Sequence, residues 1–238
     1  MIGNDFKAVL ARIAKAPDRP SSRPADLCES CDGSGWVYVD EQNPGAGVRR
    51  CQVCLSRIRG QAPGIPQEEH GSRLDNYVST THNKAAIEQA RFWLAGVHPD
   101  LYLFGGVGTG KTKLAATLLN ERWAAGESVE FIRVPRLLSA LLPGADDVNQ
   151  RIDQIAKVPV VCLDDVGASQ ASDFARRMLL VIYEARMDAG HRTIWTSNLS
   201  LDELGAFFGD DRLSSRIVGH AKVVPMNGPD FRLRKVRK

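Results

Sequence analysis

The 238-residue sequence predicts an α/β protein: a five-stranded, mainly parallel sheet between helices, with a small cysteine-bearing domain at its N-terminal end. Three observations predict it. A glycine-rich stretch, Gly105-Gly106-Val107-Gly108-Thr109-Gly110-Lys111-Thr112, lies between the apolar run Leu101 to Phe104 and a helix-forming segment. Apolar runs of strand length alternate with segments of helical periodicity over the C-terminal two thirds of the chain. Two Cys-x-x-Cys pairs precede all of this. With 43% hydrophobic and 25% charged residues, the composition suits one sizeable core plus an appendage and argues against overall disorder.

The elements follow in order. Phe6, Val9, Leu10 and Ile13 recur at helical spacing, so an amphipathic helix is expected within residues 1–20. Pro20, Ser21, Ser22, Arg23 and Pro24 then break regular structure. Cys28-x-x-Cys31 and Cys51-x-x-Cys54 stand nineteen residues apart, the spacing of a zinc ribbon, and define a module over 28–60. Four thiolates from two such turns close a tetrahedral Zn²⁺ shell, and a closed shell leaves no position for substrate, so the zinc is expected to be structural. A redox pair is the weaker alternative. Gln61-Ala62-Pro63-Gly64-Ile65-Pro66 reads as part of a linker over 61–72, ahead of a large domain at 73–238.

In that domain Asn83 is placed to cap a helix running to Ala95, with Gly96 as its stop. Leu101 to Phe104 forms the first strand, and a helix from Lys111 to about Ala125 closes at Gly126. Val129 to Val134 suits a second strand, and Leu137, Leu138, Leu141 and Leu142 mark a helix behind Pro135. Val158 to Leu163 is a nearly continuous apolar run, as a central parallel strand requires, and Cys162 within it is a core residue. A helix over Asp173 to Ala189, a strand over Thr193 to Thr196 and a strand over Lys222 to Pro225 complete the pattern.

The glycine stretch is a phosphate-binding loop. Its glycines let consecutive backbone N–H groups turn towards a polyphosphate, and the helix opening near Lys111 adds the positive end of its dipole. Lys111 is expected to reach the β and γ phosphates of ATP and the Thr112 hydroxyl to ligate Mg²⁺. Ligand groups in open α/β sheets sit at the carboxyl ends of strands, where this chain places Asp164 and Asp165. Asp164 is expected to hold Mg²⁺ through its water shell and Asp165 to orient or deprotonate the attacking water, the alternative being an Asp-Asp turn or cap. Asn198 ends the next strand, either facing the γ phosphate or forming a turn.

These residues resemble the AAA+ helicase loaders of the DnaC/DnaI type, kin of the IstB transposition helper. The resemblance covers roughly Leu74 to Arg232. It rests on the glycine loop, on Cys162-Leu163-Asp164-Asp165-Val166-Gly167-Ala168, on Thr196-Ser197-Asn198-Leu199, on Asp211 to Ile217 and on Gly228-Pro229-Asp230-Phe231-Arg232. It implies an AAA+ core without the usual C-terminal lid, with Asn198 as the sensor-1 residue and Arg216 as an arginine finger delivered to a neighbouring subunit's ATP. It further implies Arg212 in support of the finger and Arg232 as the sensor-2 residue. It also implies partners: a replicative helicase of the DnaB type, single-stranded DNA and further copies of the chain. Similar loaders carry a cysteine module with the look of Cys28 to Trp36. One departure stands out. The usual AAA+ strand ends Asp-Glu, whereas Asp165 is shorter by one methylene, about 1.3 Å of reach, which predicts slow hydrolysis.

A net charge of +3 does not by itself mark a nucleic-acid binder, although Arg232, Arg234, Lys235, Arg237 and Lys238 crowd the C-terminal end. Arg133 and Arg136 are further candidates for a strand of DNA. No apolar run suits a membrane span or a signal peptide, so a cytoplasmic location without membrane contact is expected. A transposition helper is the nearest alternative function. A small-molecule kinase and a zinc-dependent nucleic-acid-binding module stand further off.

Overall fold

A computed structural model describes residues 28, 36–40, 42–43, 47–51, 61–140, 148–168, 173–209 and 211–232. The chain divides into two units, Met1–Leu55 and Ser56–Lys238. In the first, β1 (Trp36–Tyr38) pairs antiparallel with β2 (Val48–Arg50), and the Val39 N–H donates to the Gly47 carbonyl at 3.0 Å. This hairpin lies between the two cysteine pairs in sequence. Cys28 and Cys51 are both buried, with sulfurs 3.6 Å apart. The helix expected within 1–20, and Cys31 and Cys54, lie outside the described residues.

The second unit contains α1 (Lys84–Leu94), β3 (Asp100–Phe104), α2 (Lys111–Ala124), β4 (Val129–Arg133), α3 (Val134–Ala140), α4 (Val148–Lys157), β5 (Val160–Val166), α5 (Asp173–Asp188), β6 (Arg192–Ser197), α6 (Leu201–Phe208), α7 (Arg212–His220) and β7 (Ala221–Pro225). Its five strands lie in the order β4-β5-β6-β3-β7, and every neighbouring pair is parallel. A parallel sheet needs helical crossovers, and those helices cover both faces. Alternation along the strands sorts the core accordingly. Leu101, Leu103, Cys162 and Ile194 pack with Trp93, Leu114 and Leu118 of α1 and α2, while Tyr102, Leu163 and Trp195 pack with Leu179 and Tyr183 of α5 and with Ile217 of α7. Because all strands point the same way, the carboxyl ends of β3, β5 and β6 reach a single edge, and the three predicted site segments lie within or just after those ends.

Under the opposite edge a buried polar knot fastens the layers. Arg186 of α5 has no exposed surface and donates to the carbonyls of Ile155, Val158 and Arg192 at 2.6–2.7 Å and to Thr193 Oγ1 at 3.0 Å. Asp100 beside it accepts the Tyr183 hydroxyl at 2.7 Å and the Thr193 N–H at 2.6 Å. Burial pushes the Arg186 pKa down to about 10, against the opposing pull of Asp100, Glu130 and Tyr183.

Several sequence expectations need correction. Residues 61–72 are no free linker: Ala62 and Ile65 enter the core, and the Pro63 carbonyl accepts the Phe131 N–H at 3.0 Å along the edge of β4. Asn83 precedes α1 but does not cap it. Its side chain accepts from Thr80 N at 2.7 Å and donates to the Val78 carbonyl at 3.0 Å, fastening the preceding turn instead. β5 starts after Pro159, which offers no N–H to the ladder, and runs on through both aspartates. Helices α4 and α6 were not anticipated. Among the described residues, no helix is long and apolar enough to cross a membrane.

Candidate nucleotide-binding site

The loop between β3 and α2 is shaped by its own short bonds. Gly105 takes φ of 142° with its N–H on the Ser197 carbonyl at 3.2 Å, and a Cβ there would lie 2.3 Å from the Met226 carbonyl oxygen, so no side chain fits. Thr109 Oγ1 donates to the Gly106 carbonyl at 2.9 Å. Gly110, in the left-handed region, stands at the head of α2, with the Tyr77 hydroxyl 3.5 Å from its carbonyl oxygen. Burial, and secondarily Glu69, push the Tyr77 phenol up to about 12, so it stays a neutral donor.

Lys111 is buried at the first position of α2. Its ammonium donates to the carbonyls of Gly105 and Gly106, both at 2.7 Å, and to Asn198 Oδ1 at 2.8 Å. Burial lowers its pKa, Asp165 and then Asp164 oppose that, and Arg232 adds to it. The chain thus brings Lys111, Asn198, both acids and Arg232 to one place. Asn198 meets the lysine through its side-chain oxygen, beyond what a turn former needs.

Asp164 is the buried acid of the site. Its Oδ1 accepts the Thr112 hydroxyl at 3.0 Å and the Thr196 hydroxyl at 2.6 Å. Burial raises its pKa, the two hydroxyls lower it, Asp165 raises it and Arg133 lowers it. A buried carboxylate beside a second acid and a threonine hydroxyl is an oxygen set suited to Mg²⁺, whose charge would offset the cost of burial. Asp165 is half-buried at φ of 65°, where the ladder between β5 and β6 shifts register between Leu163 and Val166. Its N–H donates to Thr196 Oγ1 at 2.9 Å. Thr196 therefore ties both aspartates to β6.

Gly108, Gly110, Lys111 and Thr112 line a cleft of about 420 Å³ with Phe231, Arg232 and the acidic pair Glu68 and Glu69. Arg212 and Arg216 are not part of that lining. Both lie on α7, where Arg216 is ion-paired with Glu184 of α5 and Arg212 borders a separate cleft with Arg176 and Arg177. Sequence reading missed Thr196 as an anchor, although the Thr-Ser-Asn run contained it. It also missed Tyr77, Glu68 and Glu69, whose approach to the loop has no local signature.

A glycine cradle opening a helix, a buried acid on the neighbouring strand and the order β4-β5-β6-β3-β7 define a phosphate-loop ATP-binding protein of the AAA+ class. The chain belongs to the IstB-like ATP-binding protein family, whose model matches residues 89–238. It is 38% identical over 195 residues to an ATP-binding protein of insertion sequence IS1162 from Pseudomonas fluorescens, covering 80% of this chain and 81% of that one. It is 31% identical over 116 residues to the replicative helicase loader DnaI of Bacillus subtilis, covering 48% of this chain and 37% of that one. The crystal structure of DnaI matches with a TM-score of 0.61 at 29% identity, covering 71% of this chain and 95% of that one.

Proposed function

We propose that this chain is an ATP-switched assembly factor that delivers a replicative helicase to single-stranded DNA. The observation that carries it is the meeting of Lys111, Asn198, Thr112 and Asp164 at one sheet edge, with an arginine of the same chain, Arg232, at the cleft. The likeness to DnaI supports the choice of partner.

In this reading Lys111 exchanges its loop carbonyls for the β and γ phosphate oxygens while the backbone N–H groups of 106–112 cradle them. Thr112 and, through the ion's water shell, Asp164 would hold Mg²⁺, which when bound would supply positive charge to the phosphate oxygens. Asp165 orients or deprotonates the attacking water, and Asn198 holds the γ phosphate and that water in line. Arg216 leaves Glu184 to enter a neighbouring copy's site, steadied by Arg212, so that hydrolysis follows assembly. Arg216→Ala is expected to leave ATP affinity within about twofold while turnover in the assembled state falls on the order of 1000-fold. Steady-state ATPase measured across a protein concentration series checks this, and an unchanged concentration dependence rules out the finger.

Exposed Arg133 and Arg136 offer positive charge to a DNA strand, whereas the basic tail past Arg232 lies outside the described residues. In this reading Cys28, Cys31, Cys51 and Cys54 would hold zinc in a module that grips the helicase. The 3.6 Å between Cys28 and Cys51 sulfurs exceeds a disulfide's length of about 2.05 Å and approaches the roughly 3.8 Å edge of a tetrahedron with Zn–S bonds of about 2.3 Å. Chelation is expected to release one zinc per chain and to abolish helicase capture with ATP binding intact. Purified protein without zinc, by elemental analysis, refutes this. A second reading, a transposition helper, is favoured by the 38% identity to an insertion-sequence protein over most of both chains. Pull-downs with the host helicase and with a transposase, each with and without ATP, decide between them.

A further inference from the structure

Beyond β7 the chain doubles back over the phosphate loop. The Met226 N–H donates to the Phe104 carbonyl at 2.7 Å, and the Phe231 N–H donates to the Gly108 carbonyl at 3.1 Å. Between these bonds the Asp230 carboxylate rests on Gly108 itself. Gly108 has φ of 74°, and a Cβ on it would lie 1.8 Å from Asp230 Oδ1, so the aspartate occupies the space a side chain would need. The same Oδ1 accepts the Arg232 N–H at 2.8 Å, an Asx-type cap on the helical turn begun by Phe231 and Arg232. A single oxygen atom therefore joins the middle of the glycine loop to the backbone that carries Arg232. Phe231 and Arg232 in turn line the cleft shared with Lys111 and Thr112.

We propose that Asp230 is a positioning residue that seats Arg232 over the terminal-phosphate end of bound ATP, using Gly108 as its footing; this rests on the phosphate-loop reading and on Arg232 facing the γ phosphate. The working part of Asp230 is its hydrogen-bond acceptor. Its negative charge, set beside a polyphosphate, opposes binding. Asparagine keeps the acceptor and the shape and removes the charge, whereas alanine removes both. Because Asp230 acts through Arg232, its loss affects ATP, which has the γ phosphate, and spares ADP.

The test is calorimetric titration of the full chain with ATP and with ADP, for the parent, Asp230→Ala, Asp230→Asn, Arg232→Ala and the double alanine variant. For Asp230→Ala, ATP affinity is expected to fall about tenfold, the size of one charge-assisted contact, with ADP affinity within about twofold of the parent. Asp230→Asn is expected to bind ATP at least as tightly as the parent, and the double variant no more weakly than Arg232→Ala. Equal losses for ATP and ADP overturn the proposal, since they mean that Asp230 merely supports the loop. It is equally overturned if asparagine is as damaging as alanine, or if Asp230→Ala binds ATP like the parent. Should Asp230→Ala not fold, the asparagine and Arg232→Ala titrations still decide: a loss in the first, or parental ATP affinity in the second, refutes it. Parental ATP binding by Lys111→Ala would instead remove the site reading on which the proposal stands.

Discussion

Lys111→Ala is expected to weaken ATP binding by at least about 100-fold, because two charge-assisted contacts to phosphate are lost together. The loss has a second source. The ammonium that joins the Gly105 and Gly106 carbonyls to Asn198 is also the positive charge facing Asp164 and Asp165. Without it, two carboxylates meet a triphosphate with less to offset their repulsion. Isothermal titration with Mg-ATP gives the affinity, and thermal melting without nucleotide separates it from unfolding. A binding curve that overlays the parent's would disprove the site.

Arg186→Ala is expected to destabilise the fold by about 3–5 kcal/mol, the range for removing one member of a buried charged network. Four acceptors each lose a donor at once: three carbonyls and the Thr193 hydroxyl. The nearby Asp100 also loses its cation, although Tyr183 and the Thr193 amide still hydrogen-bond it. Against a typical total of about 5–15 kcal/mol, this is a large share, and it lowers the melting temperature by roughly 10 °C for a domain of this size. Calorimetric melting measures it. The knot lies at the sheet edge opposite the phosphate loop, so surviving folded protein should bind ATP nearly as the parent does. A melting point within about 2 °C of the parent means that water replaces the guanidinium there, and the buried network is then unimportant.

That the glycine loop, Asp164 and Asn198 meet at one sheet edge was legible because each lies at the end of a recognisable strand segment. Thr196 was not, since its bond to Asp164 exists only once β5 and β6 lie side by side. The stretch 61–66 misled for a related reason. Proline and glycine exclude regular helix and strand, but they do not exclude burial, and Ile65 reaches the core from irregular backbone. Two helices were overlooked despite local signals. Ser200 and Glu203 form a reciprocal capping box at the head of α6, and Val148, Ile152 and Ile155 share one face of α4. In α4 so many polar residues surround that stripe that it looks like loop. The N-cap assigned to Asn83 failed because a nearer pair of backbone partners, Thr80 and Val78, competes for the same amide.

The left-handed backbone at Asp165 bears on which acids this position tolerates. Among the described residues outside glycine, it alone takes positive φ. Asparagine and aspartate settle into that region more readily than longer side chains do. Swapping in glutamate would therefore add length while taxing the main chain. The short carboxylate and the left-handed backbone belong together, and lengthening the one without relaxing the other strains the end of β5.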